Sequence, residues 1–307
     1  MNDLIRQAIA AEAEERADAG TVLAGLRERR KSRKPFGLIV GVATLTVAAA
    51  AAAVIVPTTL RKTDAAPAGP PPAGPQNVLL IGTDDHDNTD ALVLARFGGD
   101  GSVSAVSLPR DIQVGDGKLN SLFRQDPRRL TAEVERLTSV RVDHYAAVRM
   151  AEFGRISELV GGVDVCLHAA TEDPLTGASF PAGRQTLSGE HALAFLRQRM
   201  GLHQGDLDRV RRHQAFLIGL AARISKDNAL ALAAEVGKSV RVDEGWDVLA
   251  FAQRFQGPVE IRTATLPVGD PVDTTSGQGL SADPAQARQF VEKQFGGEGS
   301  TQTGCVA

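Results

Sequence analysis

The sequence predicts an α/β or α+β domain over residues 77–307, set behind one apolar segment long enough to cross a membrane. Three observations predict it. Residues 36–56 run for 21 positions without a charge, and at 1.5 Å per residue that length spans a hydrocarbon core of roughly 30 Å. Residues 64–76 contain five prolines and no apolar side chain larger than Ala or Pro, the composition of an extended, semi-rigid stalk. From Asn77 onward, strand-like apolar runs alternate with segments of helical period, the pattern of layered α and β elements.

Composition sets the outer bounds. The chain has 307 residues, 34 basic and 37 acidic side chains, a formal net charge of −3 and 43% hydrophobic content. That balance excludes a globally basic nucleic-acid-binding surface, and the apolar content excludes disorder throughout. Only eleven Phe, one Trp and one Tyr are present, so the core is built mainly from Ala, Val and Leu. Two cysteines, Cys166 and Cys305, form neither a four-cysteine zinc site nor a CxxC redox motif. They are able to form one disulfide outside the cytosol.

The elements follow in order. Residues 1–35 end in a basic cluster of Arg27, Arg29, Arg30, Lys31, Arg33 and Lys34, against Arg61 and Lys62 beyond the apolar run. The positive-inside rule then places 1–35 in the cytoplasm as a tail, 36–56 as a single transmembrane helix and the remainder outside. Gly37 and Gly41 form a GxxxG pair, a spacing through which two spans can pack into a homodimer. Residues 57–76 are the Pro/Ala/Gly-rich stalk. In the external domain, 77–81, 91–97, 102–108, 144–150 and 162–167 read as strands. Helical signals cover 126–137, 151–160, 188–196, 206–224, 229–236, 246–255 and 284–294.

Charged residues at positions that ought to be apolar carry the chemistry, because an unpaired buried charge is expensive. In the helix GDLDRVRRHQAFLIGL, Asp206, Arg209 and His213 share the inward sector with Val210, Leu217 and Leu220. Asp208 and Arg211 fall on the opposite, solvated side. A structural ion pair at a helix start and a functional cluster both fit that placement. Upstream, Arg197 and Arg199 diverge on a helix but share a face in an extended chain, where two guanidinium forks suit a polyanion. In IGTDDHDNTDALVL, Asp84 closes one strand and Asp90 opens the next, so a short loop folds both carboxylates to one rim. Two hard oxygen ligands beside a phosphate suit Mg²⁺. Asp85, His86 and Asp87 read as solvated loop residues. Arg110, after SLP at a strand end, faces the same rim.

These segments, in this order, resemble the LytR-CpsA-Psr family of cell-wall glycopolymer ligases. The matching residues are NVLLIGTD, TDALVL, VSLPRDIQV, KLN at 118–120, DHYAAV, GGVDV, the FPAGRQTLSGEHALAFLRQR run and GDLDRVRRHQAFL. The resemblance implies an α/β/α arrangement around a central mixed β-sheet, with an apolar pocket for a lipid tail. It implies a membrane-anchored phosphotransferase that moves a glycopolymer, with one phosphate, from a polyprenyl pyrophosphate carrier onto a peptidoglycan hydroxyl. Matched position by position, Asp84 and Asp90 hold Mg²⁺, and Arg110, Arg197, Arg199 and Arg209 grip the pyrophosphate. Asp206 orients an arginine, Lys118 lies near the phosphates, and Asn88 and Arg212 stand with it among the substrate-binding positions.

Three positions depart from the family pattern. Asn88 replaces an arginine two residues before the second metal aspartate, His213 replaces a glutamine, and Arg149 replaces an aspartate. His213 joins the catalytic set either as a donor or general base or as a substituted hydrogen-bonding residue. Two other readings stay open: a hydrolase of the lipid pyrophosphate with water as acceptor, and a wall-binding or regulatory protein whose site Asn88 has weakened. In an external domain a Cys166–Cys305 disulfide pins the C-terminal tail; the alternative is a buried free thiol and a frayed tail.

Overall fold

The computed structural model describes residues 74–225, 239–248, 260–299 and 304–307, with isolated positions between 228 and 251. The tail, the apolar segment 36–56 and most of the stalk lie outside the described residues, as do most of the helices expected at 229–236 and 246–255. Among the described residues no helix is long and apolar enough to cross a membrane.

The run NVLLIG forms the middle of β1 (Gln76–Thr83). Val78 and Leu80 enter one core cluster while Leu79 and Ile81 enter another, each of the four at most 8% exposed. A strand apolar on both faces belongs inside a sheet, and β1 pairs on both sides. It runs antiparallel to β2 (Thr89–Phe97) and parallel to β6 (His144–Arg149). Beyond β2 lies antiparallel β3 (Ser102–Ser107). Between β3 and β6 in sequence come a two-residue ladder of β4 (Gln113–Val114) with β5 (Gly117–Lys118), then α1 (Leu122–Gln125) and α2 (Pro127–Thr138). After β6 follow α3 (Glu152–Leu159), β7 (Val163–Leu167), β8 (Thr171–Glu172), β9 (Ser179–Phe180) and β10 (Gly183–Leu187). Helices α4 (Gly189–Arg197) and α5 (Asp206–Arg223) lead to β11 (Arg241–Val242) and β12 (Glu260–Thr265). The hairpin of β13 (Pro271–Thr274) and β14 (Gly277–Leu280) precedes α6 (Pro284–Phe295). The main sheet has the order β11-β6-β1-β2-β3-β12 and is mixed, since β12 joins β3 in parallel.

Helices cover both faces. Leu130, Val134 and Leu137 of α2 and Ala287 and Val291 of α6 pack against Leu79, Leu94 and Val106. On the other face, Gln214 of α5 donates to Ser107 Oγ at 2.8 Å and to the Ala264 carbonyl at 3.0 Å. Trp246, Val248 and Phe251 fill the same side against Val78, Val93 and Phe97. A third cluster joins α3, α4 and α5 to the β7–β10 ladder through Phe153, Ile156, Phe195, Phe216 and Leu220. There α5 lies so close to β7 that a Cβ on Gly219 would stand 2.3 Å from the Asp164 carbonyl oxygen.

Most expected elements appear within two residues of their predicted ends, the usual uncertainty of helix termini. Sequence patterning missed β10 and β12, the β13–β14 hairpin, α1 and the two-residue strands β4, β5, β8, β9 and β11. In EIRTAT only Ile and Ala are apolar, so parallel pairing with β3, rather than hydrophobicity, makes the strand. Cys166 and Cys305 are disulfide-bonded across 139 residues. The tail therefore does not fray: Val306 donates to the Cys166 carbonyl and accepts from His168 N, both at 2.8 Å.

Candidate active site

Strand polarity gathers the charged residues. The C-terminal end of β1, the start of antiparallel β2 and the end of β3 meet on one rim of the sheet. Asp84 follows β1, Asp90 lies in β2, and Arg110 follows β3. The end of α4 brings Arg197 and Arg199, and the start of α5 brings Asp206 and Arg209. Asp84, Asp90, Arg197, Arg199 and Arg209 line one open cavity of about 350 Å³, with Asp85, His86 and Leu196.

Asp90 is the hub. Its Oδ1 accepts from Arg110 Nη1 at 2.8 Å and from Arg199 Nη2 at 3.2 Å, and Arg209 Nη2 stands 3.5 Å away. Arg209 Nη2 also donates to the Asp90 backbone carbonyl at 2.7 Å. Asp206 Oδ1 accepts from Arg110 Nε at 3.1 Å and lies 3.4 Å from Arg209 Nη2, which fixes both guanidiniums. Burial pulls Arg209 down to about 10, partly opposed by the charge of Asp206, so it stays cationic at neutral pH. Arg197 has no hydrogen-bond partner among the described residues, and its fork is free at the cavity wall.

Asp84 organises its own loop. Its Oδ1 accepts from His86 N at 2.8 Å and Asn88 N at 2.9 Å, and its Oδ2 accepts from Asn88 Nδ2 at 2.9 Å. Burial works to raise its pKa, but the bonds from Asn88 and His86 outweigh that and hold the carboxylate below the usual range. Lone pairs on Asp84 Oδ2 and Asp90 Oδ2 remain beyond these bonds, so two hard carboxylate donors are left for a divalent cation that keeps its other ligands as waters and phosphate oxygens. Among the described residues no cluster of three or more His, Cys, Asp or Glu could hold a metal by itself.

The structure separates the remaining candidates from this cavity wall. Lys118 Nζ pairs with Asp111 Oδ1 at 3.3 Å, beside Arg110. Asn88 spends its amide on Asp84. His213 lies 5% exposed between α5 and α4, its Nε2 at 2.8 Å from the Leu196 carbonyl. Only a protonated Nε2 can serve that carbonyl, and burial, with the charge of Arg209, pulls the ring down to about 4. Its Nε2 is thereby engaged with the chain, while the ring lines the apolar pocket behind the cavity. Arg212 is fully buried and bonds Gln198, Thr171 and the Ala307 carbonyl, away from the cavity. Asp208, expected in solvent, is 1% exposed: it caps the turn before α5 by accepting from Gln204 N and pairs with Arg211. Among residues the sequence did not single out, Gln198 is the informative one. It is buried between two exposed arginines at the point where the chain leaves α4.

Behind the cavity, and sharing Leu196 with it, lies a small apolar pocket of about 40 Å³ lined by Ile81, Val93, Val148, Phe153, His213 and Phe216. A larger hollow of about 670 Å³ runs between α5, β10 and the disulfide. It contains none of the rim arginines and is not the site.

Fold and site together define an α/β protein with an arginine-lined anion cavity at a sheet rim. The chain belongs to the LytR_cpsA_psr family, whose model matches residues 46–294. The cell wall biosynthesis protein LcpA of Corynebacterium glutamicum is 36% identical over 264 residues, 71% of this chain and 51% of that protein. The polyisoprenyl-teichoic acid–peptidoglycan teichoic acid transferase TagU of Enterococcus faecalis is 26% identical over 236 residues, 72% of this chain and 76% of that one. The LytR-Csp2A-Psr enzyme from Actinomyces oris superposes with a TM-score of 0.60 at 21% identity, covering 73% of this chain and 90% of the other. Bacillus subtilis TagV gives 0.59 at 21% identity, covering 75% of this chain and all of its own. The two structural likenesses concern the fold. The chain spans about half the length of the corynebacterial relatives LcpA and LcpB.

Proposed function

We propose that the protein is a phosphotransferase that moves a glycopolymer from a polyprenyl pyrophosphate carrier onto a peptidoglycan hydroxyl. The observation that carries the reading is the cavity of Arg197, Arg199, Arg209, Asp84 and Asp90 opening beside an apolar pocket at Leu196. A lipid pyrophosphate has the same two-part chemistry: its anionic head matches the arginine cavity, and the small pocket matches the first carbons of its tail. The similarity to TagU, a polyisoprenyl-teichoic acid–peptidoglycan teichoic acid transferase, points the same way.

In this reading Arg197, Arg199, Arg209 and Arg110 bind and orient the pyrophosphate oxygens, exchanging their bonds to Asp90 for bonds to phosphate. Asp206 keeps Arg110 and Arg209 in place during that exchange. Asp84 and Asp90 would hold Mg²⁺, which supplies charge neutralisation on the pyrophosphate. The acceptor oxygen bonds to the sugar-side phosphorus and the bridging P–O bond breaks. Polyprenyl phosphate leaves, taking up the hydroxyl proton. Such a reaction needs positioning and spread positive charge more than a protein nucleophile. In this reading the apolar segment 36–56 would anchor the chain at the leaflet that carries the lipid.

The test supplies the full chain in detergent with a polyprenyl-pyrophosphate-linked oligosaccharide, peptidoglycan fragments and Mg²⁺. A phosphate-linked sugar–peptidoglycan product is expected. A free sugar phosphate alone would identify a hydrolase, and no turnover of the pyrophosphate would overturn the reading.

A further inference from the structure

Arg212 is the most heavily engaged buried charge in the described structure, and no Asp or Glu side chain is bonded to it among the described residues. Its Nη1 donates to Gln198 Oε1 at 2.6 Å, Nη2 to Thr171 Oγ1 at 2.7 Å and Nε to the Ala307 carbonyl at 2.7 Å. The guanidinium carbon lies 4.7 Å from the Phe195 ring centroid and 5.6 Å from that of Phe180. All three kinds of nitrogen are satisfied and the planar faces are covered, so the side chain has one available orientation.

What that orientation fixes is Gln198. This residue ends α4: its N–H closes the helix on the Ala194 carbonyl at 2.9 Å, and its own backbone turns extended at φ −56°, ψ 131°. Its side chain is 1% exposed, held by Arg212 on the oxygen side and donating to the Met200 carbonyl at 3.0 Å on the nitrogen side. At this junction between helix and extended backbone Gln198 is buried while its two neighbours are exposed. Arg197 and Arg199 are those neighbours, and both reach the anion cavity. Had α4 continued, the two guanidiniums would diverge by about 200° around the helix.

We infer that Arg212 is a positioning residue: by gripping Gln198 it fixes the point at which the backbone leaves α4, so that the guanidinium forks of Arg197, on the last helical residue, and Arg199, just beyond the helix, converge on one anion. The inference rests on the phosphate reading of the cavity. It also gives α5 a double role, since Arg209 reaches the cavity while Arg212, three residues later, holds the residue between the cavity's other two arginines. The Ala307 carbonyl, delivered two residues beyond the disulfide, completes the grip.

The experiment measures binding of farnesyl pyrophosphate with Mg²⁺, and of farnesol, to the full chain in detergent by calorimetry. Because Arg212→Met removes three bonds inside the core and risks misfolding, Gln198→Leu is the primary variant. It is expected to bind farnesyl pyrophosphate at least about tenfold more weakly, the scale of a lost charge-assisted hydrogen bond, with farnesol affinity unchanged. Gln198→Glu, which keeps an acceptor for Arg212, is expected to retain most of the affinity. In the Gln198→Leu background, adding Arg197→Ala should cost much less than it does in the original chain, since a displaced fork has little left to lose. Additive losses would overturn the inference. So would a folded Gln198→Leu chain that binds pyrophosphate normally while only its Tm falls, which is what a purely structural role predicts. If the unaltered chain fails to bind farnesyl pyrophosphate at all, the function reading and the inference fall together; if only the variants match it, the inference alone falls.

Discussion

One oxygen of Asp90 faces three guanidiniums, and this crowding explains more of the site than any single arginine. Removing its charge with Asp90→Asn leaves Arg110, Arg199 and Arg209 mutually repelling. We expect transfer to drop by roughly two orders of magnitude or more, the scale of losing a preorganised electrostatic group, as read from product formation in the assay above. Asn88 invites a gentler test. Its amide and backbone N–H both serve Asp84, so Asn88→Ala should raise the Asp84 pKa toward the ordinary carboxylate value, read by NMR titration. An unchanged value would show that the loop backbone alone holds Asp84. His213 gives a pH signature in stability. The folded ring stays neutral down to about 4, whereas an unfolded histidine takes a proton near 6.5. Between those values the unfolded chain binds more protons, so stability falls as pH is lowered from about 6.5 toward 4, by roughly 3 kcal/mol in all. His213→Gln should flatten that part of a Tm-against-pH curve.

Helix starts were the most legible elements. Both α2 and α6 open on Asp-Pro, and in each the aspartate accepts a backbone N–H, from Arg128 and Gln286. Asp126→Ala and Asp283→Ala are each expected to cost about 1 kcal/mol in chemical denaturation. The inward sector of α5 was also legible for Arg209, Val210 and His213, because periodicity records which face is buried. It did not reveal Asp208 as buried, although its partners Gln204 and Arg211 lie within four residues of it, nor Arg212 and Gln214, whose partners come from β8, Gln198, β3, β12 and the C-terminal tail. No local pattern encodes such distant contacts. The contact of Gly219 with β7 is of the same kind. Gly219→Ala would gain helix propensity but drive a Cβ into a backbone carbonyl, and we expect a net loss of about 1–3 kcal/mol in Tm-derived stability.

At the scale of the whole molecule, the order of motifs along the chain made the rim residues legible, because antiparallel and parallel pairings return Asp84, Asp90 and Arg110 to one edge. The β12 strand and the Arg212 grip were not, for the reasons of composition and distance just given. The Cys166–Cys305 bond closes a loop of 139 residues, worth about 5 kcal/mol in the chain-entropy account and commonly 2–4 in practice. Reduction under native conditions should lower Tm accordingly. By freeing the segment that carries Ala307, it should also weaken pyrophosphate binding more than farnesol binding. The Asp90 hub has a last consequence, for how ligand arrives. A pocket that already contains its own counter-anion does not wait as a bare positive well: an incoming phosphate displaces a carboxylate rather than a cloud of salt ions. Affinity should therefore decline less steeply with ionic strength than the number of arginines suggests, and speed of capture would depend on how readily the aspartate lets go.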